Sequence, residues 1–172
     1  MSGPIEEEAS FLINVADFTL SNSSGAGQNC FEVVNDAFNV GGLSTCEMEA
    51  VIQLSALGGG NVTTAILFAG TATVDSIMYW SIAHTAAAQA LIATQYTKCS
   101  TATTAQVINN ASTSASVVIR LTGIVRFSAG GTFIPQIQFS ALPGGTPVCN
   151  ANSYFKLKKL GSSTVGGIGS VG

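Results

Sequence analysis

Few side chains in this 172-residue sequence are of types that do chemistry, and they are widely scattered. Glu47 and Glu49 sit two apart in an extended, alternating segment, so both carboxyls project from one face roughly 7 Å apart by the strand rise. Paired carboxylates at that separation serve glycoside hydrolysis. No groove-lining aromatics accompany this pair, however, and two acids on the polar side of one strand are commonplace, so hydrolysis is disfavoured. His84 is the single histidine and shares a face with Trp80 and Ile82 by alternation. It reads as a packed or interface histidine, and no catalytic triad can be assembled around it. The expectation is a protein that is not an enzyme.

Cys30, Cys46, Cys99 and Cys149 show no C-x-x-C spacing and have no histidine cluster to complete a metal site, so neither metal nor cofactor is expected. In a reducing cytosol they read as half-buried thiols acting as small apolar side chains, with a disulfide open to a protein that ends outside a cell. Gly58-Gly59-Gly60 lacks a following Lys-Ser or Lys-Thr and leads into a strand, which makes it turn chemistry and not a phosphate loop. Phe127, Phe133, Phe139 and Phe155 fall on inward registers and read as core. Tyr79, Tyr96 and Tyr154 are candidates for a surface aromatic at an interface or sugar site.

Composition narrows the partners. Asp, Glu, Lys and Arg supply 9% of the chain, where about 25% is usual, and the net charge is −3. Ser, Thr, Asn, Gly and Ala must cover the surface, and such a surface repels its own copies weakly, which favours assembly. Six basic residues cannot build a phosphate-neutralising footprint, so nucleic acid is not an expected partner. Lys156, Lys158 and Lys159 form the one basic cluster, expected to solubilise a strand edge or to meet a neighbouring subunit's acids. Neither a signal peptide nor an apolar run of roughly 18 residues is present, so synthesis in a cytoplasm and no membrane insertion are expected.

The elements that must carry these residues are strands. Cys46, Met48, Ala50, Ile52 and Leu54 alternate with Glu47, Glu49 and Gln53, the pattern of a half-buried strand. Further strands are expected over residues 11–20, 30–38, 63–69, 75–85, 89–97 and 106–109. Residues 115–127 and 132–139 read as a long hairpin closed by Ala129-Gly130-Gly131, and Pro135 predicts an edge or a bulge in the returning strand. A closing strand spans 153–160. The whole predicts an all-β, antiparallel β-sandwich or jelly roll over residues 11–160, with an extended N-terminal arm (1–10) and a Gly-rich C-terminal tail (161–172).

Gly123, Gly130, Gly131, Thr132, Pro135, Gln136, Pro143, Gly144, Gly145, Ser153, Tyr154 and Phe155 follow a recognisable order: a strand with an internal glycine, a Gly-Gly-Thr turn, a Pro-Gln strand, a Pro-Gly-Gly loop and a Ser-Tyr-Phe strand. Over about a quarter of the chain this resembles the C-terminal part of small tailed-phage virion proteins. The resemblance implies a trimer-forming, jelly-roll-like module on phage particles, either a capsid decoration (cement) protein or a tail-fibre domain. It implies no catalytic residues, and cellular trimers of the tumour-necrosis-factor type share the architecture.

The resulting expectation is a bacteriophage decoration protein that trimerises on the head shell and is located in the virion after synthesis in the host cytoplasm. Its partners would be itself and the major capsid protein. Glu6, Glu7 and Glu8 of the arm would meet basic capsid residues, Phe11, Leu12 and Ile13 would pack beneath, and Val165, Ile168 and Val171 of the tail would anchor on a neighbour. The alternative is a fibre-tip protein whose loops 58–62 and 143–147 touch a host surface glycan.

Overall fold

The structure is a computed structural model and describes residues 9–31, 36–85, 95–109 and 111–164. Glu6, Glu7, Glu8, Val165, Ile168 and Val171 lie outside these residues. Among the described residues there is no helix, and so none to cross a membrane. In chain order the strands are β1 (Ala9–Ile13), β2 (Phe18–Thr19), β3 (Gln28–Asn29), β4 (Phe38–Val40), β5 (Ser44–Ser55), β6 (Thr64–Ala69), β7 (Thr73–His84), β8 (Gln95–Ser100), β9 (Gln106–Val107), β10 (Val117–Ala129), β11 (Gly131–Phe139), β12 (Val148–Cys149) and β13 (Tyr154–Ser162).

Two antiparallel sheets pack face to face as a β-sandwich. The larger has the order β1-β13-β5-β10-β7-β8, with β12 joining β5 and β2 joining β12; the smaller runs β3-β11-β6-β9, with β4 also on β11. The alternation expected for residues 45–54 is present in β5, where Cys46, Met48, Ala50, Ile52 and Leu54 are buried. Phe133, Ile137 and Phe139 bury the same face of β11. Aromatic rings join the sheets: Phe68 of β6 and Phe133 of β11 stack at 5.0 Å within the smaller sheet, and across the interface Phe68 meets Tyr79 of β7 edge-on at 5.5 Å while Phe133 meets Phe127 of β10 at 5.2 Å. Such pairs add to the area they bury and lock the two layers in register.

Several local expectations give way to tertiary pairing. Residues 115–127 and 132–139 do not form a hairpin: β10 bonds to β5 and β7, whereas β11 bonds to β6, β3 and β4. The glycine turn is an arch that carries the chain from one sheet to the other, so the two strands meet through side chains and not through amides. At Gly131 φ is 152°, and a Cβ there would lie 2.6 Å from the Thr71 hydroxyl, so the arch requires glycine.

Nor is β11 an edge strand. Pro135 sits opposite Phe68 of β6, but on the other side it falls between residues 131–133, which pair with β4, and residues 136–137, which pair with β3. The main chain of Thr132 bonds toward Ala72 on the β6 side. By alternation the missing amide of Pro135 faces the gap, where no donor is needed.

The expected strand over 11–20 is divided into β1 and β2 because Asn14 and Asp17 bond to distant main chain and halt the pairing. Only the flanks of the strand expected over 30–38 are seen, and residues 32–35 lie outside the described set. Ala9 and Ser10, assigned to the arm, pair with Lys158 and Leu157, and Gly161 and Ser162 of the expected tail continue β13 against β5.

Candidate functional site

The outward face of the large sheet carries Glu47, Glu49, Arg120, Lys156, Lys158, Tyr154, Trp80 and Cys99. Register aligns them in rows, since directly opposed residues share a face. One row runs Phe11, Lys156, Glu49, Thr122, Trp80, Cys99; the next runs Ile13, Tyr154, Val51, Arg120, Ile82, Thr97; a third runs Ala9, Lys158, Glu47, Ile124, Met78. The face therefore has an apolar flank on β1, a charged middle on β13 and β5, and a mixed flank in which Ile124 of β10 and Met78, Trp80 and Ile82 of β7 stand beside Arg120 and Thr122.

Glu49 anchors the middle. Its carboxylate accepts hydrogen bonds from the Lys156 ammonium at 3.0 Å and the Tyr154 hydroxyl at 2.9 Å. Lys156, and after it Tyr154, hold the Glu49 carboxyl below its usual range, while Glu49 in turn raises Lys156. Burial, reinforced by the bond to Glu49, raises the Tyr154 hydroxyl. The lysine cluster thus differs from expectation. Its strand is enclosed by β1 and β5, and Lys156 is paired within its own chain.

Trp80 divides two shallow depressions. One, of about 380 Å³, is lined by Glu47, Met78, Trp80, Cys99, Gly123 and Ile124. The other, of about 340 Å³, is lined by Glu49, Val51, Trp80, Arg120, Thr122 and Tyr154. Trp80 is 43% exposed and Met78 63%. The floor is set by Gly123, opposite Tyr79: a Cβ there would collide with the Met78 carbonyl oxygen and lie 2.5 Å from the Tyr79 Cβ. Absence of a side chain lets Tyr79 fill the core beneath.

Among residues singled out from sequence, Phe11 (51% exposed) and Ile13 (46%) face solvent, but Leu12 between them is turned into the core. Of that trio only Phe11 and Ile13 are available to a partner. Tyr79 is likewise buried and leaves the group of surface aromatics, whereas Tyr154 lines the second depression. His84 stands at the end of β7 opposite Val118 and Gln95, which places no carboxylate across from it. Glu47 and Glu49 do share a face, yet Glu49 is committed to Lys156 and Tyr154. Among the described residues no three His, Cys, Asp or Glu side chains converge as metal ligands.

The two loops proposed for glycan contact come together at one end of the sandwich, where the Gly60 amide donates to the Pro143 carbonyl at 2.8 Å. Cys30, Cys46 and Cys149 are buried, and Cys99 is exposed beside Trp80. Sequence reasoning did not find Arg120 or Met78. Their signal was the pairing of β10 with β5 and β7, which no local pattern contains. No protein-family model matches the chain, and no curated protein is significantly similar to it.

Proposed function

We propose that this chain is a structural module that assembles with its own copies on a larger particle, as a trimeric decoration protein of a tailed-phage head. The observation that supports this reading is the exposure of Phe11, Ile13, Met78 and Trp80 on a sheet whose opposite face already supplies the core. Their exposed surface adds nothing to that core. Apolar side chains kept in water at both flanks of one face are what a protein–protein contact uses. Low charge, with the Lys156–Glu49 pair satisfied internally, leaves little repulsion between copies.

The mechanism is linkage. A module that bridges neighbouring shell subunits binds the assembled shell and not the separated subunits, and so stabilises the shell by mass action. Sedimentation of the purified protein should give three times the chain mass, and quantitative mass spectrometry of virus particles should find it in numbers comparable to the major capsid protein. A monomer in solution together with absence from particles would sink the reading.

A fibre-tip role is favoured by a separate observation: Trp80, Arg120, Glu49 and Tyr154 surround one depression, an aromatic plate flanked by hydrogen-bonding groups of the kind that holds a sugar ring. A few copies per particle, with glycan-array binding that disappears in Trp80→Ala, would select it over decoration.

A further inference from the structure

Cys30, which follows β3 in the small sheet, and Cys149, in β12 of the large sheet, lie more than a hundred residues apart in sequence and are both wholly buried. The fold brings them side by side. The amide nitrogen of Asn14 donates to the Cys30 carbonyl at 2.9 Å and reaches the Cys149 carbonyl at 3.5 Å, so one side chain ties both main chains. Asn14 is itself held in place by its main chain: the backbone N–H donates to the Ser153 carbonyl at 3.0 Å, and the backbone carbonyl accepts from the Asn152 N–H at 2.8 Å. Within this clamp the Cys30 thiol donates to the Pro135 carbonyl oxygen at 3.7 Å, and the two cysteine side chains are near enough to shift each other's titration. Neither Cys46 nor Cys99 shares this site.

We propose that Cys30 and Cys149 are an intrachain disulfide site, oxidised by exchange with an external disulfide such as oxidised glutathione when the protein folds in or reaches an oxidising compartment. The thiolate of one cysteine attacks the external S–S bond, forms a mixed disulfide and expels one small thiolate. The second cysteine, deprotonated, attacks the protein sulfur of that mixed disulfide and expels the other. One S–S bond is broken and one is made. Two electrons pass to the external disulfide, and the two protons lost by the cysteines go to the departing thiolates.

Cys149 takes the first role. Its neighbour Cys30, and after it Ser153 and Asn14, hold the Cys149 thiol below the ordinary value against the opposing effect of burial, while burial pushes Cys30 well up and makes it the resolving partner. Because both sulfurs are sealed from water, exchange requires local opening. The two-residue pairing of β2 with β12, which carries Cys149, is a short element whose parting would serve. Once made, the bond staples the two sheets and closes most of the chain into a loop, which removes unfolded-state freedom. This inference is independent of the assembly reading, since it concerns one chain alone.

The test uses the full chain, incubated folded with oxidised glutathione and, in parallel, refolded from guanidinium in a glutathione redox buffer. Free thiols are then blocked, and the protein is digested without reduction for mass spectrometry. A peptide pair joined through Cys30 and Cys149 is expected, about 2 Da lighter than the two reduced peptides together. Joining should raise Tm by roughly 5 to 15 °C, a shift abolished by reduction and absent in Cys149→Ala. Recovery of both cysteines blocked and unlinked from both arms, separate glutathione adducts on each, or linkage of either to Cys46 or Cys99 would overturn the proposal. The mapping on the unsubstituted chain stands even if the variant does not fold.

Discussion

The two faces of the large sheet share one backbone and one set of amide bonds, yet they answer to different physics. Inward, Met48, Ile52, Ile119, Leu121, Val125 and Tyr79 are removed from water and packed on the rings of the smaller sheet. Outward, one residue along each strand, stand Glu47, Glu49, Arg120, Thr122, Met78 and Trp80. Burial dictates the first set because apolar area withdrawn from water drives folding. It leaves the second set open, so residues there are answerable to a partner. A large aromatic on the inward face is explained by the fold; Trp80 on the outward face is not.

The sharpest way to break this contrast is to truncate the core. Phe133→Ala removes a ring that stacks on Phe68 and meets Phe127, and it should lower unfolding free energy by about 3 to 5 kcal/mol in chemical denaturation. A loss below about 1 kcal/mol would mean that the sheets are not held together where the rings meet.

Adjacent residues on opposite faces of β10 give the next test. Gly123→Ala forces a methyl group into the Met78 carbonyl and Tyr79, and should cost about 1 to 3 kcal/mol. Thr122→Ala, one residue away on the outer face, should stay within about 0.5 kcal/mol. Equal costs would erase the distinction between the faces.

Trp80→Ala should change stability by less than about 1 kcal/mol while weakening self-association at least about tenfold by analytical ultracentrifugation, as expected of an interface aromatic. The reverse pattern, lost stability with intact association, would move Trp80 into the folding account. Glu49→Gln should have the smallest effect. The folded-state pKa of Glu49 lies below its unfolded value, so its pairing stabilises the protein above the unfolded carboxylate pKa and the contribution is lost as pH falls through the lower folded value. A decrease in Tm of about 1 to 2 °C is expected at neutral pH, shrinking to nothing in acid, since the pair is only partly buried and screened by solvent.

β5 was legible from sequence because its two faces differ in kind: Cys46, Met48, Ala50, Ile52 and Leu54 against Glu47, Glu49 and Gln53. β7 was not. Its alternate sets are Ile77, Tyr79, Ser81 and Ala83, which point in, and Met78, Trp80, Ile82 and His84, which point out, and the outward set is the bulkier. Hydrophobicity alone would turn this strand over. Pairing with β10 decides it, since the buried Ile119, Leu121 and Val125 orient β10, and the register then sets Gly123 against Tyr79 and Thr122 against Trp80.

Period-two patterning, turn glycines and low charge by themselves determined an all-β sandwich with Phe133, Ile137, Phe139 and Phe155 in its core. These are properties of residues near one another in the chain, and a strand's alternation is written locally. Only the tertiary structure decided that the Gly130-Gly131 turn is an arch, that Lys156 meets Glu49, that Leu12 is core while Phe11 is surface, and that Asn14 ties Cys30 to Cys149. Each of these depends on which distant strands pair and in what register, and the free energy that selects the pairing comes from burying both sheets at once.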